Sequence, residues 1–324
     1  MTDSQIDESH RLRFSFVVPA FNSEKYISAC LDRIQSNMEP DDELVVVDNG
    51  STDRTRAIVS EHSRARVFSA PDARIAGLRN LGARSTTGDV LAFIDSDCLL
   101  IDGWRTEAEA TLRSPQGHAT GSRCKVPDDE GWMARTWYAG GLNGTRPVLY
   151  INSGNLVVKR AAFDLVGGFD ERLVTDEDYD LGVRLNQRNL KVVENPAISV
   201  LHLKNPRTVG EFFRSTIWHS RGSFKIRRGP YLDKATLMTA ANLALWLLGV
   251  LLLPLAVAGS IPWWTLPGVW MAVPTTAAIY KVVKLGGTRY FLQSLFLQVI
   301  YFGARTVALI RDLVNKLDPT GRNS

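Results

Sequence analysis

Two carboxylates one residue apart, Asp95 and Asp97, close the apolar run "VLAFI". In an extended segment, residues two apart point to the same side. Both side chains can therefore face one centre beyond the carboxyl end of a sheet, the edge where open α/β sheets bind ligands. Hard oxygen ligands at such a place suit Mg²⁺ or Mn²⁺ bridging a diphosphate. The cation would neutralise charge developing on a leaving phosphate. Alone, the pair is a weak signal and reads more readily as a polar turn after a strand.

Other charged residues fall at comparable places. Asp48 ends a second apolar run, "LVVV", just before Asn49-Gly50, where a carboxylate can accept hydrogen bonds from a base or a ribose. Arg74 and Arg79 lie on the helical segment ahead of the D-x-D run and can meet a base edge or a diphosphate. The plainer reading of both is a solvated helix face. The stretch "TDEDYD", residues 175–180, gathers four carboxylates at one helix start, more than capping requires. Helical spacing sets Asp176 and Asp180 on one face, with Glu177 and Asp178 off it. One of them can act as general base for an acceptor hydroxyl, a role typically worth ~10²–10⁴ in rate. The alternative is simple complementation of the helix dipole.

The elements that must position these residues alternate. "FSFVVPAF", "ELVVVD", "ARVFSA" and "DVLAFID" read as strands. Between them lie a helix with Tyr26, Ile27, Cys30, Leu31 and Ile34 on one face, capped by Asn22 or Ser23, a short helix after "NGSTDRT", and the helix "RIAGLRNLGARS". Such alternation indicates βαβ units and a Rossmann-like, mostly parallel α/β sheet flanked by helices. Residues 126–147 are rich in glycine and proline and read as irregular. "GNLVVKR" reads as a strand, "AAFDLVGGFDE" as a short helix stopped by Gly167 and Gly168, and "TDEDYDLGVRLNQRN" as a helix.

Composition sets limits. The 324 residues carry 38 basic and 34 acidic side chains, a net charge of +4, so no bulk preference for nucleic acid is indicated. Cys30, Cys98 and Cys124 form no C-x-x-C pair and read as reduced thiols in a cytosolic setting. The polar segment 1–12 reads as a flexible tail with no secretory apolar region after it.

Near residue 236 the composition turns apolar. Leu237 to Ala258 is uncharged and, at roughly 22 residues, long enough to span a ~30 Å hydrocarbon core. Trp263 to Tyr280 is a second uncharged run, joined to the first by Gly259-Ser260-Ile261-Pro262. Lys225, Arg227, Arg228 and Lys234 precede the pair, and Lys281, Lys284 and Arg289 follow it. The positive-inside rule then gives a membrane hairpin, 236–285, with both ends cytosolic. An amphipathic juxtamembrane segment, 211–235, leads into it and reads equally as an interfacial helix or as an ordinary packing helix. Beyond it, Gln298, Arg305 and Asp312 recur every seven residues, so 286–324 is read as an amphipathic helix in the interface plus a tail, with a third span over 291–317 as the alternative.

In this order the segments resemble the family 2 glycosyltransferases, inverting enzymes of GT-A fold, over roughly residues 13–205. "VVPAFNSEKYISACLDRI" resembles the family's opening strand and helix, and "ELVVVDNGSTDRT" its nucleotide-binding segment. "AGLRNLGARSTTGDVLAFIDSDC" resembles its D-x-D region, and "SGNLVVKRAAFDLVGGFDE" and "EDYDLGVRL" its acceptor-side motifs. The resemblance implies roles. Pro19, Asn22 and Asp48 would line the base and ribose pocket, and Arg79 would help hold the nucleotide. Asp95 would lie at the ribose and metal, and Asp97 would ligate Mg²⁺ or Mn²⁺. Asp178 would be the catalytic base. Gly167, Gly168, Phe169, Asp170 and Glu177 would shape the acceptor side, and His202 occupies a place where some relatives put a metal or phosphate contact. The glycosyltransferase domain is drawn at 13–210. The Q-x-x-R-W motif of processive synthases is absent from "FFRSTIWHSRG", which favours single transfer.

The expectation is a multi-pass cell-membrane enzyme with a cytosolic catalytic domain. It would move a sugar from a nucleotide-diphosphate sugar, UDP-linked by preference, to a membrane-associated acceptor such as a lipid-linked saccharide, in cell-envelope polysaccharide or glycolipid synthesis. The alternatives are a polyprenyl-phosphate sugar synthase and a catalytically silent nucleotide-sugar-binding scaffold in the membrane.

Overall fold

The computed structural model describes residues 11–115, 117–140, 144–220, 234–285 and 290–317. The tail expected at 1–12 falls almost wholly outside these residues, as do Lys225, Arg227, Arg228 and Arg289 of the expected basic flanks. The chain divides into two compact units, Met1–Pro127 with Leu142–Lys204, and Asp128–Gly141 with Asn205–Ser324.

The first unit begins with β1 (Phe14–Ala20), α1 (Ile27–Gln35), β2 (Glu43–Asp48), α2 (Thr55–Glu61), β3 (Ala65–Ser69), α3 (Ile75–Arg84) and β4 (Val90–Ile94). It continues through β5 (Cys98–Leu100), α4 (Trp104–Arg113) and β6 (Ala119–Gly121). In the second unit, α5 (Trp132–Trp137) follows. The chain then returns to the first unit with β7 (Arg146–Val148), β8 (Asn155–Lys159), α6 (Arg160–Leu165), α7 (Glu177–Gln187), β9 (Val192–Glu194) and β10 (Val200–His202). Eight strands form one sheet in the order β3-β2-β1-β4-β8-β6-β9-β7, and β10 pairs with β5 in a second, two-stranded sheet. Four of the five strands expected from the sequence, β1 to β4, run parallel, while the fifth, β8, lies antiparallel against β4.

Both faces of the sheet are covered, which is why its strands are apolar without alternation. Phe14, Phe16 and Val18 point to one face with Leu31, Ile34 and Trp104, and Val17, Leu91 and Phe93 to the other with Phe163 and Phe169. Gly82 of α3 packs against β1 so closely that a Cβ there would lie 2.2 Å from Val17 Cγ1.

The stretch 126–147, read as irregular, contains α5 and the edge strand β7. Its local composition hides the helix. Met133 forms a buried cluster with Phe212 and Leu297, so long-range packing supplies what propensity does not.

The second unit also holds α8 (Val209–His219), α9 (Lys234–Val257), α10 (Thr265–Leu285) and α11 (Phe291–Leu317). Helix α10 doubles back along α9, with Trp246 and Trp270 stacked at 5.6 Å. Gly249 makes room for that indole. Among the described residues, two stretches, Lys234–Val257 and Phe291–Val314, are long and apolar enough to cross a membrane. The second is the segment read from the sequence as an interfacial helix or a third span. Its recurring polar residues Gln298, Arg305 and Asp312 are buried, and Leu292, Phe296, Val299, Ile310 and Leu313 are exposed. Arg305 donates to Thr239 Oγ1 of α9 at 2.9 Å, which explains the inward turn of the stripe.

Candidate active site

The carboxyl ends of β1, β2 and β4 meet at one edge. The residues expected to cap α1 tie these ends together instead. Asn22, held at a φ of 46°, accepts a hydrogen bond from Thr52 N at 2.9 Å. Its own N–H donates to Ser51 Oγ at 3.0 Å. Ser23 N–H donates to Thr55 Oγ1 at 2.7 Å, and Ser23 Oγ lies 2.8 Å from Ser96 Oγ, between the two D-x-D carboxylates.

Asp48 ends β2, is buried, and accepts from Gly50 N and Ser51 N through Oδ2, each at 3.1 Å. Its Oδ1 is buried without a hydrogen-bond partner among the described residues. A carboxylate oxygen in that state is costly, and a ligand donor from a base or ribose would satisfy it. Pro19 lies beside it, paired in register with Val47.

Asp95-Ser96-Asp97 forms a tight turn between β4 and β5, closed by Cys98 N–H to Asp95 O at 3.0 Å. The turn, rather than strand alternation, keeps the two carboxylates close. Asp95 Oδ1 accepts from Arg79 Nη2 at 2.7 Å. Asp97 faces His202, with Oδ1 3.6 Å from Nε2, because β10 pairs His202 opposite Cys98. Burial pushes the Asp97 carboxyl above its ordinary value. Asp95 adds to the rise, and His202 and Lys204 oppose it. Ligand atoms of Asp97, Cys98 and His202 lie within 4.8 Å of one another. A carboxylate crowded by a second carboxylate and faced by an imidazole fits a divalent cation. Asp95 lies outside that three-residue group. The three cysteines are free thiols, as expected from the sequence.

Arg79 is 3% exposed and is therefore not the solvated residue of a helix face. Its Nη1 donates to Glu177 Oε1 at 2.6 Å. Glu177 also accepts from Ser153 Oγ at 3.1 Å, and Ser153 N–H donates to Asp178 Oδ2 at 3.2 Å. Asp178 keeps some exposed surface, yet protein surrounds it on most sides. That burial, with Glu177 adding to it, pushes its carboxyl up to about 7, against the pull of Ser153 N–H and Arg79. A partly buried carboxylate poised near neutrality suits a general base.

The remaining acidic residues of this helix start differ. Asp180 is fully buried and pairs with Arg184 at 2.7 Å, one helical turn on. Asp176 takes a left-handed φ of 63° at the helix entrance. Arg74 donates to Arg172 O at 2.6 Å.

On the expected acceptor side, Phe169 is core, 5.0 Å from the ring of Phe93. Gly168 has a φ of 69°, and a Cβ there would meet Asn80 Oδ1 at 2.8 Å. Asn80 holds this turn by accepting from Phe169 N and donating to Phe169 O. Asp170 accepts a two-pronged contact from Arg172. Gly167 stands at a φ of 79° with open space around it. Sequence reasoning missed Asn80 and Ser153. Their only signals were positions beside Arg79 and inside "SGN".

A mostly parallel sheet with an acidic turn and an unsatisfied carboxylate at its carboxyl edge defines an α/β protein whose candidate ligand site lies at that edge. Residues 15–169 match the family model described as Glycosyl transferase family 2, and the chain belongs to that family. It is 25% identical over 248 residues to glycosyltransferase AglE of Haloferax volcanii, covering 72% of this chain and 79% of that protein. It is 24% identical over 257 residues to the O-antigen biosynthesis protein RfbC of Myxococcus xanthus, 68% of this chain but only 20% of that longer protein. The mannosyltransferase PcManGT of Pyrobaculum calidifontis, solved in complex with GDP-Man and Mn²⁺, superposes with a TM-score of 0.67 at 20% identity. That likeness covers 95% of this chain and 89% of that one, and it shows the GT-A fold.

Proposed function

We propose that the protein is an inverting glycosyltransferase moving a sugar from a nucleotide-diphosphate sugar, UDP-linked, to a membrane-associated acceptor such as a lipid-linked saccharide. The observation that carries the reading is Asp178, held near neutral proton affinity and linked through Ser153, Glu177 and Arg79 to Asp95 of the acidic turn.

In this reading Asp48 Oδ1 accepts from the base or ribose, with Pro19 and Asn22 beside it. Asp97 and His202, with Asp95 adjacent, would hold a divalent cation, which when bound neutralises charge growing on the departing diphosphate. Asp178 takes the proton of the acceptor hydroxyl. The freed oxygen attacks the anomeric carbon from the face opposite the diphosphate, the bond to the diphosphate oxygen breaks, and the configuration inverts. The turn at 167–170, fixed by Asn80, shapes the acceptor side.

Membrane attachment is supported by the exposed apolar faces of α9 and α11, two helices of spanning length. Water-soluble helices place polar residues outward; α11 does the reverse, as helices facing lipid do. Basic residues on both sides of the α9–α10 pair favour a cytosolic N-terminal unit.

The test is release of nucleoside diphosphate from a panel of UDP- and GDP-sugars by the purified full-length protein, with Mn²⁺ and a membrane lipid extract, followed by mass analysis of the product. Release that needs both the metal and the extract supports the reading. If Asp178→Asn leaves most activity intact, the acceptor is a bare lipid phosphate, already anionic, and the polyprenyl-phosphate sugar synthase is the better description. Tight donor binding with no product points to a scaffold.

A further inference from the structure

Arg79 sits between two carboxylates that come from distant parts of the chain. One Nη donates to Asp95 at 2.7 Å and the other to Glu177 at 2.6 Å. Its Nε has no hydrogen-bond partner among the described residues, so the two carboxylates claim the fork. Glu177 is 7% exposed and is anchored a second time by Ser153 Oγ. The same Ser153, through its backbone N–H, holds Asp178. An unbroken series of short contacts thus runs from the acidic turn to the base.

Stability does not account for this arrangement. Replacing a buried ion triad by apolar groups of similar volume is commonly neutral or stabilising. Here one guanidinium serves three carboxylates, Asp95, Glu177 and Asp178, so the cluster carries uncompensated negative charge. The other charges on α7 are placed differently. Asp180 is neutralised by Arg184, and Asp176 stands at the helix entrance. From α3, Arg79 pulls on Asp178, and the 149–154 segment carries no Asp, Glu, Lys or Arg.

We infer that Arg79 and Glu177 act as a charge bridge, positioning residues through which the occupancy of Asp95 at the donor end sets the readiness of Asp178 at the acceptor end. The inference rests on the reading of Asp178 as the base, and it assigns Arg79 and Glu177 to that link rather than to direct contact with nucleotide or acceptor. Glu177 supplies a fixed negative charge next to Asp178, and Arg79 divides its positive charge between Glu177 and Asp95. Anything that relieves Asp95 of its claim on Arg79 leaves more of that charge to offset Glu177, and Asp178 then gives up its proton more readily. Donor loading would thereby prepare the base before the acceptor is attacked.

The experiment follows the Asp178 carboxyl directly, by ¹³C NMR of the full-length protein in detergent with labelled aspartate, the resonance being assigned by its loss in Asp178→Asn. A charge removed at this range moves a carboxyl midpoint by roughly 1–3 pH units. Glu177→Gln should lower the midpoint by at least about one unit. Arg79→Gln should raise it. Asp95→Asn should lower it by less than Glu177→Gln does, and Arg79→Lys should move it least. Opposite signs for the glutamate and arginine variants cannot come from general loosening of the fold, and melting curves identify any variant that is unfolded. If Arg79→Gln does not fold, Glu177→Gln and Asp95→Asn still decide. A midpoint unmoved in Glu177→Gln, or unmoved in Asp95→Asn, overturns the inference. Absence of turnover with every donor would overturn the glycosyltransferase reading while leaving this titration intact.

Discussion

Oδ1 of Asp97 lies 3.6 Å from Nε2 of His202, because the antiparallel pairing of β10 with β5 sets His202 directly opposite Cys98. Leu203 N–H donates to Asp97 O at 2.9 Å and fixes the register. The two side chains offer a hard oxygen and an imidazole nitrogen to one small volume, a donor set that Mn²⁺ accepts. Replacing His202 by Ala should weaken Mn²⁺-dependent UDP binding by roughly tenfold or more, measured by calorimetry, while uridine binding stays unchanged. EDTA should reproduce that pattern in the wild type. Equal UDP affinity in His202→Ala and wild type would refute the assignment.

Asp178→Asn should lower kcat with a hydroxyl acceptor by ~10²–10⁴, with donor affinity held within about twofold. Because the base acts ionised and its carboxyl is pushed up to about 7, wild-type activity should rise with pH through that region. The stability consequence has the opposite sense. The native state binds more protons than the unfolded chain between the ordinary value of 3.8 and about 7, so this group makes stability fall as pH rises across that window. Asp178→Asn should therefore melt a few degrees higher than wild type at pH 8 and show little difference near pH 4. A melting difference that does not change with pH would contradict the buried-base description.

What the sequence made legible, and what it did not, follows from range. β1, β2, β3 and β4 were readable because each is an apolar run between turn residues, and Asp48, Asp95 and Asp97 stand where those runs stop. β5, β6, β7, β9 and β10 span three residues each, too short for a period to declare itself, and exist because longer strands pair with them. The acidic group at 175–180 was visible, but its division of labour was not. Asp180 is neutralised one helical turn away by Arg184, a pairing that i,i+4 spacing could have suggested. Glu177 is claimed by Arg79 across the fold, which no local rule encodes. Helix α11 was legible as a polar stripe on an apolar helix, but what the stripe meets was not: it is buried, with Arg305 bonded to Thr239 of α9, a partner no local rule encodes.

Asp48→Asn probes the unsatisfied oxygen. Asparagine can keep one oxygen toward Gly50 and Ser51 but presents an amide donor where Oδ1 now stands. A ligand donor meeting that amide loses its acceptor, and hydrogen bonds to charged groups are worth about 1.5–3 kcal/mol. Affinity for uridine and for UDP should each fall by roughly tenfold or more, with the melting temperature little changed. Unaltered uridine binding would remove Asp48 from the nucleotide site.

Arg305 of α11 is 7% exposed, donates to Thr239 Oγ1 at 2.9 Å, and lies with its guanidinium 5.6 Å from the ring centroid of Tyr301. Helices α9 and α11 are thus joined by a polar seam while their outer faces are apolar. Interhelical hydrogen bonds in membrane bundles are worth about 0.6 kcal/mol on average and up to ~1.7, so Arg305→Ala should cost roughly 0.6–1.7 kcal/mol. The detergent-solubilised protein should melt several degrees lower, with UDP affinity unchanged because the acidic turn belongs to the other unit. Leu292→Ser, on the exposed face, should leave that melting temperature alone. Paired with Leu313→Ser, it should loosen retention of the protein in lipid vesicles. If Arg305→Ala melts like wild type, the seam does not hold the helices, and if the serine pair is retained as firmly as wild type, the apolar face of α11 does not meet lipid.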